Sequence, residues 1–158
     1  MFDTVLGLPL HALVVHATVV LLPLLSLLTI LVAIWPKWRK PAAGLAVLVA
    51  DVAVYGLALV TKESGENLEA RLNQFSPSSP ELADHTKWGD NLPWFALALA
   101  IAALVLYLGL RTRGPLLVVA AILVVLAGGA ATAWTGLVGH TGAVAVWRDT
   151  IGNTQAPK

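Results

Sequence analysis

The sequence predicts an all-α integral membrane protein, an up-down-up-down four-helix transmembrane bundle with an outward-projecting helical hairpin between its second and third helices. Three observations predict it. The 158 residues are 58% apolar and only 12% charged, with a mean hydropathy of +0.79, far from the profile of a soluble domain. Four apolar segments, about 12–35, 42–61, 92–110 and 115–138, meet or approach the roughly 20 residues needed to cross a bilayer. Charge is also divided unevenly between the links that join them.

The first span follows ten residues without a positive charge, and its apolar run is too long for the hydrophobic region of a cleaved signal. It is expected to remain as an anchor, with Pro23 as a candidate kink. The links Pro36-Lys37-Trp38-Arg39-Lys40-Pro41 and Arg111-Thr112-Arg113-Gly114 are short, basic and free of carboxylates. Every acidic residue except Asp51 falls in the other compartment: Asp3, Glu63, Glu66, Glu69, Glu81, Asp84, Asp90 and Asp149. By the positive-inside tendency the basic links are cytoplasmic, and the chain sits in a bacterial cytoplasmic membrane with both termini outside. Tight links make successive spans antiparallel neighbours. Residues 1–148 form one membrane domain, and 149–158 read as a flexible tail.

Between the second and third spans, Asn67-Leu68-Glu69-Ala70-Arg71-Leu72 continues the second helix outward and Phe75-Ser76-Pro77-Ser78 breaks it. Ser79-Pro80-Glu81 reads as an N-cap with proline in the first turn, so the third helix begins well above the bilayer. If the second helix passes unbroken through Ser64-Gly65, then Asp51, Tyr55, Lys62, Glu66 and Glu69 share a stripe at about 100° per residue. Asp51 is a costly carboxylate in a bilayer and should face the bundle interior. It is either hydrogen-bonded to Tyr55, Ser26 or a carbonyl, or part of a proton or ion relay from the outer side.

All four histidines, His11, His16, His85 and His140, fall near the same end of the four spans. Imidazole is the common ligand of metals and haem near neutral pH, so this clustering points to an outer site. His11 and His16 are about 140° apart on an ideal helix and cannot both enter one site. His16 lies roughly 7 Å deeper at 1.5 Å per residue, in apolar sequence where its ring needs a partner, and is favoured as the site residue. His11, after Gly7-Leu8-Pro9, marks the interface. His85 shares a face with Gly89, Ala96, Ala100 and Ala103, and His140 continues one of Gly129, Ala133 and Gly136. Such small faces mean close helix packing more often than a slot for a flat cofactor. Glu66 and His85 stand at matching heights and could meet across the hairpin.

These residues form an ordered set: Leu6-Gly7-Leu8-Pro9-Leu10-His11 through His16, Ser64-Gly65-Glu66, His85 with Trp88-Gly89-Asp90, and Gly139-His140-Thr141-Gly142-Ala143 with Val146-Trp147. The set resembles the bacterial membrane proteins grouped as domain of unknown function 2231, in the form common in actinobacteria, over about residues 1–148. The resemblance implies four spans and places His16, Glu66, His85, Asp90 and His140 in motifs. Some related domains are fused to Rieske-type redox modules, a hint toward redox chemistry, although this chain has no such module. Thr141 stands where the family often has serine, which keeps the hydroxyl.

Three functional readings follow. The first is a cytochrome b-like electron carrier in which His16 and His85, on diagonal helices, ligate haem b, with His140 as substitute and Arg71 or Lys62 on the propionates. The second is a non-haem site for zinc, iron, manganese or copper built from His16, Glu66, His85 and His140, with Asp90, Thr141 and more remotely Asp51 as supporting groups. The third is an accessory subunit whose histidines only hydrogen-bond. Five of the six tryptophans, Trp35, Trp38, Trp88, Trp94 and Trp147, suit an interfacial belt, while Trp134 lies deeper and packs within the bundle. The partners implied are the lipid bilayer and a redox or membrane-protein partner. A formal charge of +1 offers no basic stripe for nucleic acid, and the absence of cysteine excludes thiolate-ligated clusters. No hydrolase elbow, phosphate loop or His-Glu-x-x-His helix is present.

Overall fold

The computed structural model describes residues 4–75, 78–151 and 154. Two short antiparallel strands come first, β1 (Thr4–Val5) and β2 (Leu8–Pro9), with Val5 paired to Leu8. The two residues between them, Leu6 and Gly7, both have positive φ (51° and 82°), the backbone that a tight two-residue hairpin requires. Five helices follow: α1 (Leu10–Ile34), α2 (Pro41–Leu72), α3 (Pro80–Gly89), α4 (Leu92–Thr112) and α5 (Leu116–Ile151).

Four crossings are long and apolar enough for a membrane, in α1, in α2, in the line that α3 and α4 make together, and in α5. The fold class read from the sequence is therefore the observed one. α1 runs through Pro23, and α2 runs through Ser64-Gly65 without a break. Ser79 caps α3 as expected, its hydroxyl accepting from the Leu82 amide at 3.2 Å, with Pro80 in the first turn. The expected break at Ser76-Pro77 lies outside the described residues. α5 extends past Arg148 to Ile151, and residues 152, 153 and 155–158 of the expected tail lie outside the described ones.

Around the bundle α1 packs on α2 and α5, and α4 packs on the same two, so the first and third spans are diagonal. Two apolar clusters fill the interior. The one toward the basic links contains Val32, Val47, Leu106 and Val124. The one toward the hairpin contains Leu22, Val54, Ala58 and Leu99, with Phe95 and Trp134 packed on it. Trp134 stacks on Phe95 with ring centres 4.4 Å apart and donates its indole N–H to the Trp88 carbonyl, which satisfies its one polar atom. Gly109 marks the tight turn into α5: a Cβ there would lie 3.0 Å from the Leu117 backbone.

One departure decides the site. The third helix is interrupted: α3 ends at Gly89, and Asp90 and Asn91, both with right-handed helical backbone, separate it from α4. α3 packs chiefly on α5. His85 of α3 lies beside Gly142 of α5 and His11 of α1.

Candidate functional site

At the hairpin end of the bundle a cavity of about 300 Å³ lies among α1, α2, α3 and α5. Its wall is mostly apolar, with Val15 and Val19 from α1, Ala58 from α2 and Val138 from α5. The histidines His11 and His85 both reach it. Their ring centres are 6.4 Å apart and the planes meet at 70°.

Each ring is seated by a glycine. A Cβ on Gly65 would come within 3.0 Å of the His11 ring, and a Cβ on Gly142 would come within 3.0 Å of His85. Real Cβ contacts are rarely that close, so the two glycines are what let α2 and α5 approach the imidazoles. Each ring is also held through Nδ1. His11 Nδ1 lies 3.0 Å from the Thr61 carbonyl, which can only accept, so Nδ1 carries the proton. His85 Nδ1 lies 3.3 Å from the Thr141 hydroxyl, which itself donates to the Val138 carbonyl and so accepts from the ring. The side-chain hydrogen bond of each ring is made by Nδ1, and none is made by either Nε2 among the described residues. His85 stands in α3, above the apolar part of its crossing. Burial, and after it the neighbouring His11, hold its pKa below the ordinary imidazole value, against a smaller opposing pull from the Val138 carbonyl.

Beneath the pair, Thr18 and Thr61 join hydroxyls at 2.7 Å and tie α1 to α2. Beside it, Lys62 bridges Glu66 of its own helix and Asp90 at the α3–α4 junction, the latter at 2.7 Å. Arg148 pairs with Glu81 across α5 and α3.

The other expected site residues are elsewhere. His16 is exposed, with Nδ1 bonded at 2.7 Å to the Ala12 carbonyl of its own turn. His140 is exposed on α5, on the outward face with Gly129, Ala133 and Gly136. Those small residues do not pack inside the bundle: a Cβ on Gly129 or Gly136 would meet nothing within 4 Å. Glu66 borders the cavity but is engaged by Lys62 and does not contact His85 through any hydrogen bond among the described residues. The Thr141 hydroxyl lies 3.3 Å from His85 Nδ1, and Asp90 accepts from Lys62. Asp51 lies well below, bonded to Thr29 rather than to Tyr55 or Ser26.

Among the described residues, no group of three or more histidine, cysteine or acidic side chains is placed to hold a metal ion. Spacing alone missed His11. The 140° argument correctly separated it from His16, but an angle between two side chains does not say which one faces inward. The usable signal was Gly65, a glycine at cavity height on the neighbouring helix.

The fold and cavity define a four-span helical membrane protein with a histidine-lined cavity at one end. Residues 7–155 match the model of the family described as predicted membrane protein (DUF2231), and the chain belongs to that family. No curated protein and no solved structure matches it.

Proposed function

We propose that this protein is a membrane electron carrier that holds haem b between His11 and His85. The observation that carries the reading is the 6.4 Å between the two ring centres. The two imidazoles come from different helices and border one cavity, so they are the residues that would hold the iron. The number of ligands favours haem over a bare ion. A bare zinc or iron usually takes three or four protein ligands, whereas a porphyrin supplies four nitrogens and asks the protein for two. The mostly apolar wall beside the rings suits the faces of a porphyrin, and Lys62, which also borders the cavity, would meet a propionate.

Haem would supply one-electron transfer. The chain supplies the rest: Thr61 and Thr141 hold each ring through Nδ1, leaving Nε2 to ligate, and Gly65 and Gly142 hold its position. By the charge of the links the site faces the outer side of the cytoplasmic membrane, where an electron would be exchanged with a redox partner.

The test is the visible spectrum and haem content of protein purified in mild detergent, with hemin titration of any haem-free fraction. A Soret band is expected, lost in His11→Ala and in His85→Ala but kept in His16→Ala and His140→Ala. A colourless protein that takes up no hemin overturns the reading. Stoichiometric copper or zinc without haem would reassign the pair to a bare ion.

A further inference from the structure

Midway along the bundle, between the two apolar clusters, is a polar layer that the haem reading does not use. Ser26 and Thr29 of α1 and Asp51 of α2 are all fully buried there. Thr29 donates its hydroxyl to Asp51 Oδ2 at 2.8 Å, and Ser26 donates to the Leu22 carbonyl of its own helix. Both donors are therefore spent. Asp51 Oδ1 is buried and has no hydrogen-bond partner among the described residues.

An ionised carboxylate here would need a cation or several donors. α1, α4 and α5 place no charged side chain at this level. The clusters above and below contribute leucine, valine, alanine and isoleucine, with Phe95, Trp134 and the half-buried Tyr55 on the upper one. Tyr55 is the nearest titratable group, one turn along α2. A metal ion would need several oxygens, and only one is free. A proton needs one.

We infer that Asp51 is an intramembrane proton-binding site: a neutral carboxylic acid with its proton on Oδ1, joining α1 to α2 through Thr29 and closed toward both membrane faces. The closure follows from the packing. Leu22, Val54 and Ala58 separate it from the Thr18–Thr61 pair and the histidine cavity, and Val32, Val47 and Leu106 separate it from the basic links. It is therefore a storage position rather than a step in a continuous relay, and its proton exchanges when the bundle opens.

Infrared spectroscopy of the full-length protein in lipid at neutral pH tests this without reference to haem. The wild type should show the carbonyl stretch of a protonated carboxyl that Asp51→Asn removes. Thr29→Val takes away the hydrogen bond to the carbonyl oxygen and should move that band to higher frequency. In deuterated buffer the band should shift slowly. Should Asp51→Asn fail to fold, the Thr29→Val shift still assigns the band. Absence of the band in the wild type, or its indifference to Thr29→Val, overturns the proton site, and immediate deuterium exchange overturns its closure.

Discussion

If His11 and His85 hold haem as proposed, a single methyl group at Gly65 or Gly142 is enough to separate its binding from folding. Either alanine would put a Cβ about 3.0 Å from an imidazole, so the ring must shift by a few tenths of an ångström. Overpacking of this kind costs about 1–3 kcal/mol, while alanine recovers up to about 1 kcal/mol of helix propensity. Gly65→Ala and Gly142→Ala should therefore move the thermal midpoint little and weaken hemin binding by tenfold or more. Gly56→Ala, with nothing within 4 Å of the added carbon, is the control and should leave binding unchanged. Equal binding in all three, measured by hemin titration, would remove the glycines from the argument. His85 makes a second prediction at this scale. Its folded-state pKa is depressed, so over the interval below the ordinary value of about 6.5 the unfolded chain binds more protons than the folded one. Stability present above that value should be lost as pH falls through the interval, because the buried ring must charge beside His11. His85→Gln should flatten the acid limb of a melting-temperature profile of the haem-free protein, and an unchanged limb would refute the assignment.

Among the elements, α3 is the one whose placement makes the site, and it is held by contacts at its two flanks. Lys62 links α2 to Asp90 on one side, and Arg148 links α5 to Glu81 on the other. These pairs are exposed, and such pairs are worth about 0–1 kcal/mol. Lys62→Met or Asp90→Asn should therefore barely alter the melting temperature. Each should lower hemin affinity several-fold, more at low salt than at high, because the link positions the cavity wall without supporting the core. Wild-type affinity in both variants, at low salt as at high, would show that the apolar contact of α3 with α5 suffices. This element also marks what could be read in advance. The Ser79-Pro80 start was legible because a capping hydroxyl before proline is a local signal, and the passage of α2 through Ser64-Gly65 was legible as a condition on its stripe. The stop at Asp90-Asn91 was not. Trp88-Gly89-Asp90 carries no strong breaker, and the backbone stays right-handed helical at Asp90 and Asn91. From the sequence, His85 pairs with His16, whereas the α1 ring that lies beside His85 is His11.

For the whole molecule, the spans and their order were legible because membrane length and hydropathy are properties of segments, not of contacts. The inward faces were less so. α5 is apolar nearly all round, so its Gly129–Ala133–Gly136 stripe looked like a packing face although the buried positions are Ala120, Val124, Gly128, Ala131, Thr135 and Val138. The largest remaining consequence is orientation, since it decides which compartment the histidine cavity serves. The basic residues Lys37, Arg39, Lys40, Arg111 and Arg113 all lie at the end away from the cavity, and loop charge of this kind sets topology. The chain contains no cysteine, so single cysteines can be introduced as unambiguous reporters. Gln74 at the hairpin end and Lys37 at the other are both exposed. On intact cells a membrane-impermeant maleimide should label Gln74→Cys and leave Lys37→Cys untouched until the membrane is permeabilised. The opposite pattern would put the cavity on the cytoplasmic side and would show that the acidic hairpin outweighs the basic links in this chain.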